Sequence, residues 1–304
     1  MSFSENLLQL KKQAMAQAAP MFAHIDSIAE ANTLKVLDAM RECQVSEAHF
    51  NTTSGYAYDD IGRSKIEELF AKVFGAERAL VRTNFVSGTH ALATVLFGIL
   101  RPGDKLVSIT GAPYDTMQTV IGYANESPGS LKEFGVLYDE LDMIDGKVDM
   151  AGIAGKITPD TKMVLIQRSR GYSMRNPLTI EEIGAICQEV KKVKPDCICF
   201  VDNCYGEFVD TQEPVQAGAD IMAGSLIKNP GGGVALTGGY IAGKSDLVEL
   251  CSYRLTAPGM GDELGASLAN NRMIFQGFFL APHVVAQAIK GAVFAAALFA
   301  LLGY

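Results

Sequence analysis

The run DCICFVD, residues 196–202, is a nearly unbroken apolar stretch that ends on an acid, Asp202. It reads as a buried strand, and its flanks repeat the theme. Upstream, ERALVRT, DKLVSIT, KEFGVLYDE and TKMVLIQ read as strands, and SGTHALATVLFGIL, DTMQTVIGYAN and IEEIGAICQEVKKV as helices between them. Downstream come the strands ADIMAGSLI and ALTGGYIAG and the helix SDLVELCSYRL. This alternation predicts an α/β domain with a mostly parallel sheet. Ahead of it, LLQLKKQAMAQAAPMF and HIDSIAEANTLKVLDAMREC read as two helices, and NTTSGYAYDDIGRS as a polar loop. SKIEELFAKVFG then carries a serine cap and a glycine stop.

Ligands of such sheets sit at the carboxyl ends of the strands. Five strand ends offer chemistry there. Ser87, Gly88 and Thr89 open a helix after the first strand, Tyr114 follows the second, and Arg168 follows TKMVLIQ. Asp202 closes the apolar run in FVDNCYGEFVD (200–210), and Lys228 lies in AGSLIKNPGGG (223–233). A lysine amine and a carboxylate together match one cofactor. Pyridoxal phosphate needs an amine for a Schiff base and an acid to keep its ring nitrogen protonated. SGTHA offers free amides at a helix N-terminus for a phosphate, and alone would equally be an ordinary capped turn. Ser225 stands three residues before Lys228 and could donate to the same phosphate. Tyr114, in GAPYDT, could stack on a flat ring. Burial should lower the Lys228 pKa, and the glycines of NPGGG should let backbone approach a ligand.

Composition narrows the classes. The chain has 304 residues and a formal net charge of −8, which disfavours a nucleic-acid partner. None of its six cysteines forms CxxC, and the four histidines are scattered, so no metal site is expected. Cys197 and Cys199 alternate on a strand and read as small apolar side chains. MSFSENLLQLKKQ lacks the apolar core of a signal peptide, and a cytoplasmic location is expected. GAVFAAALFALLGY is short for a bilayer crossing and reads as a buried helix, with no membrane role. GGYIAGKS (238–245) fits the Walker A string, but YIA looks like the strand itself, which makes nucleotide binding through Lys244 the least favoured reading.

Taken together, SGYAYDDIGR, NFVSGTHAL, PGDKL, GAPYDT, QRSRGY, VDNCYGEFVD, SLIKNPGGG and TGGYIAG resemble the fold-type-I pyridoxal-phosphate enzymes. The resemblance is to the methionine gamma-lyase or aluminium resistance branch of the cystathionine lyase group, over nearly the whole chain. It implies a three-layer α/β/α large domain like that of aspartate aminotransferase, over 61–283. A helical arm and subunit-contact loop would span 1–60, and a linking helix would start at 284–304. It implies that Lys228 carries the cofactor, Asp202 pairs with the pyridinium nitrogen and Tyr114 stacks on the ring. Gly88, Thr89 and Ser225, with Ser87 beside them, would hold the phosphate. Tyr56 or Tyr58 would reach a neighbouring subunit's phosphate in a homodimer or homotetramer with shared active sites. Asn176 or Arg170 would face the phenolic oxygen. The implied activity is carbon–sulfur cleavage of a small amino-acid substrate of the cysteine, cystathionine or methionine type. An aminotransferase, an aldolase or a non-catalytic cofactor binder are the alternatives. The resemblance also implies a further C-terminal domain, with an arginine for the substrate carboxylate, beyond LFALLGY; lacking it, the chain would leave an apolar helix uncovered and prone to associate.

Overall fold

Side-chain alternation on the central strand sets the layers. The computed structural model describes residues 5–124 and 127–304. Its strands are β1 (Arg78–Arg82), β2 (Lys105–Ser108), β3 (Leu137–Glu140), β4 (Thr161–Gln167), β5 (Ile198–Asp202), β6 (Ile221–Ser225) and β7 (Gly239–Gly243). On β5, Cys199 and Val201 enter one core and Ile198 and Phe200 the other. Both faces are covered, which is why the strand reads as continuously apolar. Cys197 and Cys199 are fully buried as expected.

The seven strands form one sheet in the order β1-β7-β6-β5-β4-β2-β3. Only β7 is reversed, pairing antiparallel with both β1 and β6. The other six run in one direction, so the ends of β1, β2, β4, β5 and β6 share one edge. Register aligns Gln167 with Asp202 and Asp202 with Ala223 along that edge.

The helices are α1 (Glu5–Glu42), α2 (Ile61–Phe74), α3 (Gly88–Ile99), α4 (Asp115–Ile121), α5 (Ile153–Lys156), α6 (Ile180–Val193), α7 (Ser245–Leu255) and α8 (Asn271–Leu301). Apolar residues at helical spacing on α6 (Ile183, Ile186, Cys187, Val190) pack on one sheet face, with α2 and the first half of α8. Helices α3 and α7 cover the other face. The α6 entry is a reciprocal capping box. The Glu182 N–H donates to Thr179 Oγ1 at 3.2 Å, and the Thr179 N–H donates to Glu182 Oε2 at 2.9 Å. Phe278 of α8 stacks on Phe70 of α2 at 3.8 Å between centroids.

Three expectations are corrected. The two N-terminal helices are one, α1, with Pro20 inside it; a long packed helix tolerates a proline that local propensity alone reads as a break. The cap of α2 is Asp60, whose carboxylate accepts from the Arg63 N–H at 2.9 Å, rather than Ser64. The C-terminal helix is not buried: α8 is sealed by Ile274, Phe275, Phe278, Ala281 and Val285, but beyond Ala286 none of its residues is buried. By length and composition alone α8 could cross a membrane. Two of the NPGGG glycines also meet protein backbone closely, Gly231 at Leu226 and Gly232 at Gly277 of α8. A Cβ on Gly231 would lie 1.8 Å from the Leu226 carbonyl oxygen, and one on Gly277 of α8 would lie 2.3 Å from the Gly231 oxygen. The first four residues and Asn125, the last residue of the expected helix DTMQTVIGYAN, lie outside the described residues.

The Walker-like string resolves into strand. Residues 239–243 are β7, and Lys244 is paired with Asp220 Oδ1 at 2.6 Å, at the sheet end opposite Lys228. The backbone that would have to cradle phosphate is engaged in the ladder.

Candidate active site

The carboxyl edge of the sheet gathers most of the expected residues into one site. Ser87 caps α3, its hydroxyl accepting from the His90 N–H at 3.1 Å, which leaves the first amides of the helix open. Gly88 presses against β6: a Cβ there would lie 3.0 Å from Ser225 Cβ and 3.4 Å from Cys204 Sγ. Thr89 Oγ1 and Tyr114 Oη share a hydrogen bond of 2.9 Å. The Tyr114 N–H donates to Gln167 Oε1 at 3.0 Å, tying the ring's backbone to β4. Burial holds the Tyr114 phenol above its ordinary range, so it stays protonated.

Asp202 is buried at the tip of β5 and accepts one N–H, from Cys204, at 3.0 Å. Burial pushes its carboxyl up, opposed by that N–H and by Lys228. Lys228 begins the turn after β6, its N–H donating to the Ser225 carbonyl at 3.3 Å. Its side chain is half-buried between Cys204 and Tyr205, with Nζ 4.2 Å from the Tyr205 ring centroid. Here the expected lowering of the lysine pKa is reversed. Burial does act downward, but the groups facing the amine, Cys204, Tyr205 and Asp202, outweigh it and the ammonium is favoured.

Two observations test whether pyridoxal phosphate fits. Ser225 Oγ is buried with no hydrogen-bond partner, beside the amides of α3 and next to a glycine whose missing side chain leaves room. An anion there would satisfy the hydroxyl and the amides together. Asp202 is a buried carboxylate held by the Cys204 backbone N–H and side chain and facing Lys228, and a cationic N–H is a partner that suits it. The residues fit the group.

The remaining expected residues lie apart. Arg170 is exposed, its guanidinium reaching Met174 Sδ at 4.0 Å, and it borders two cavities. One, of about 460 Å³, is shared with Tyr114 and Gln167; the other, of about 470 Å³, with Cys204 and Tyr205. Asn176 is exposed and only its carbonyl is engaged, by Arg175 at 2.9 Å. Tyr56 and Tyr58 are 79% and 59% exposed on the loop before α2. Among the described residues they make no hydrogen bond or ring contact with Ser225, Asp202 or Lys228. Arg168 turns under the edge instead, donating to Asn203 Oδ1 and the Gly206 carbonyl at 2.9 Å and to Asp210 at 2.7 Å.

Sequence reading missed Cys204, Tyr205 and Glu207, although all three sit within FVDNCYGEFVD. Glu207 is wholly buried. It accepts from Tyr240 Oη at 2.7 Å on one oxygen and has no partner on the other. Burial raises its carboxyl to about 8. The folded chain therefore keeps a proton that the unfolded chain releases above about pH 4.3. Stability falls as pH rises from there to about 8 and levels beyond it. Glu207→Gln removes this slope. Denaturant melts at pH 6 and 8.5 should show the variant gaining on the order of 2 kcal/mol over the parent at the higher pH. Equal pH slopes would refute a buried neutral acid.

With this geometry in place, comparison with known proteins is specific. The profile of the family described as methionine gamma-lyase matches residues 7–304. The chain is 51% identical over 300 residues to an uncharacterised Bacillus subtilis protein, YnbB, covering 97% of this chain and 71% of that one. A solved Clostridium novyi protein described as a carbon–sulfur lyase involved in aluminium resistance superposes with a TM-score of 0.95 at 48% identity, covering 99% of this chain and 72% of that one. The L-methionine gamma-lyase of Pseudomonas deceptionensis is 25% identical over 219 residues, 71% of this chain and 49% of that enzyme. The chain thus spans about half the length of that lyase.

Proposed function

The chain belongs to the methionine gamma-lyase family of pyridoxal-phosphate-dependent lyases, and on that premise we propose that it cleaves a carbon–sulfur bond in a sulfur amino acid of the cysteine, cystathionine or methionine type. With water, the products are a thiol, a 2-oxo acid and ammonia. The observation that carries the reading is Lys228 and Asp202 meeting at Cys204, beside the unpartnered hydroxyl of Ser225.

In this reading, Gly88, Thr89 and Ser225 would hold the phosphate at the α3 N-terminus, with Ser87 capping the helix beside them. Tyr114, its hydroxyl fixed by Thr89, would cover the ring face. Asp202 would hold a proton on the ring nitrogen, and burial would make that ion pair strong. When bound, the cofactor supplies an electron sink for charge developing at the substrate Cα. Lys228 Nζ takes the Cα proton as general base. Neutral Tyr114 adds no negative charge beside the departing sulfur. Arg170, which forms no ion pair among the described residues, lines both cavities and would face the phenolic oxygen or the incoming substrate. Tyr56 and Tyr58 are exposed as a neighbouring subunit's phosphate would require, and we read the protein as a homo-oligomer acting in the cytoplasm.

The test is direct. The purified chain, loaded with pyridoxal phosphate, should release thiol from at least one of cysteine, cystathionine and methionine. Asp202→Asn should keep the cofactor but lose at least about tenfold in rate, since a hydrogen bond to a charged group is worth roughly 1.5–3 kcal/mol. Cofactor binding without thiol from any of the three would remove the lyase reading.

A further inference from the structure

We propose that Tyr205 is a positioning residue for Lys228: its ring face receives the lysine ammonium whenever the amine is not attached to cofactor. This rests on the reading of Lys228 as the cofactor lysine and general base. Three observations meet at Tyr205. Its ring centroid lies 4.2 Å from Lys228 Nζ, within the range in which an aromatic face attracts a cation. Its backbone sits in the left-handed region at φ +68°, which a bulky aromatic residue rarely adopts. Tyr205 is 61% exposed, so core packing does not compensate the strain.

The strain is imposed from below. Arg168 Nη1 donates to both Asn203 Oδ1 and the Gly206 carbonyl, clasping the two ends of the turn. The Gly206 N–H closes the turn on the Asn203 carbonyl at 2.8 Å. Gly206 has to be glycine for this: a Cβ would lie 2.5 Å from Arg168 Cδ and from Asn203 Oδ1. Within this clasp, Cys204 aims its N–H at Asp202 and Tyr205 aims its ring at Lys228. One turn therefore addresses both ends of the site. Such strain persists where surroundings enforce it and tends to mark function.

The chemical consequence follows from charge. On taking the substrate Cα proton, Nζ passes from amine to ammonium. A ring face stabilises the ammonium and not the amine, and so holds the proton near the site until it is returned. No oxidant or further reactant is involved. Asp202, Cys204 and Glu207 also face the amine, and they are unchanged in the variants below.

Two variants separate the ring from its hydroxyl and from folding. Tyr205→Phe keeps the face. Tyr205→Asn removes it while placing a residue that tolerates the left-handed backbone, so its melting temperature should be no lower than the parent's. In cofactor-free protein, lysines are dimethylated with 13C-formaldehyde and the Lys228 resonance, assigned by its loss in Lys228→Ala, is titrated by NMR. The Phe variant should titrate like the parent. The Asn variant should titrate about 0.4–1.5 pH units lower. In the loaded enzyme, the Asn variant should lose about threefold or more in kcat with KM little changed. Equal titration in all three proteins, or a shift in Phe as large as in Asn, overturns the proposal. Because the titration is read without cofactor, its failure is distinct from a failure of the lyase reading.

Discussion

Lys228→Ala should leave the folded chain unable to retain pyridoxal phosphate covalently. The visible absorption of the attached cofactor should vanish. Borohydride treatment followed by peptide mapping should yield no label on the 223–233 segment, where the parent is labelled at Lys228. Turnover should fall by about 10³-fold or more, since the same amine serves as anchor and as general base. Lys244→Ala is the matched control. Its amine lies at the opposite end of the sheet, paired with Asp220, and its removal should change neither readout. Label on any other lysine in the parent protein would overturn the assignment of Lys228, whatever the activity.

The second large effect is mechanical. Gly277→Ala adds a methyl 2.3 Å from the Gly231 carbonyl oxygen, a backbone atom that no side-chain rotation can move. Either α8 or the turn after Lys228 has to shift. The expected cost is about 3 kcal/mol or more, at the upper end for an overpacked interior. Gly291→Ala tests the same helix where nothing lies within 4 Å of the added carbon. There the change should be neutral or stabilising by up to about 1 kcal/mol, from helix propensity alone. Thermal melts of both variants, with cofactor affinity measured alongside, separate the two positions. A Gly277→Ala protein as stable as Gly291→Ala would show that the contact behind Lys228 is loose.

Much of this architecture was legible because strands of a doubly covered sheet announce themselves. DCICFVD, TKMVLIQ and ADIMAGSLI are apolar throughout and match β5, β4 and β6 to within a few residues. The clustering at one sheet edge was legible where chemistry and strand end coincide, at Asp202, Lys228, Ser225 and SGTHA. The rest depended on facts that no local pattern carries. The merging of two expected helices into α1 depends on its long packing against α8 rather than on propensity around Pro20. The cap of α2 moved from Ser64 to Asp60 because a carboxylate four residues earlier had the free N–H of Arg63 within reach. That Gly232 meets the backbone of α8 was not legible, since sequence cannot say which distant element comes close. Tyr205 escaped notice because its importance lies in a backbone angle and in the direction of one ring. Tyr56, Tyr58 and Asn176 share exposure in the single chain, and their expected roles involve a second subunit or a bound group.

Helix α8 has one further consequence. It is a single run of 31 residues, about 46 Å long at 1.5 Å per residue. Near its start, Gly277 bears on Gly231, three positions past the reactive amine, with bare backbone on both sides. Its far portion is apolar and only partly covered, lying along α1, where Lys290 pairs with Asp26. The helix thus joins α1 to the lysine turn, and a displacement of α8 at Gly277 would reach the turn after Lys228 through backbone alone, with no side chain between to cushion it.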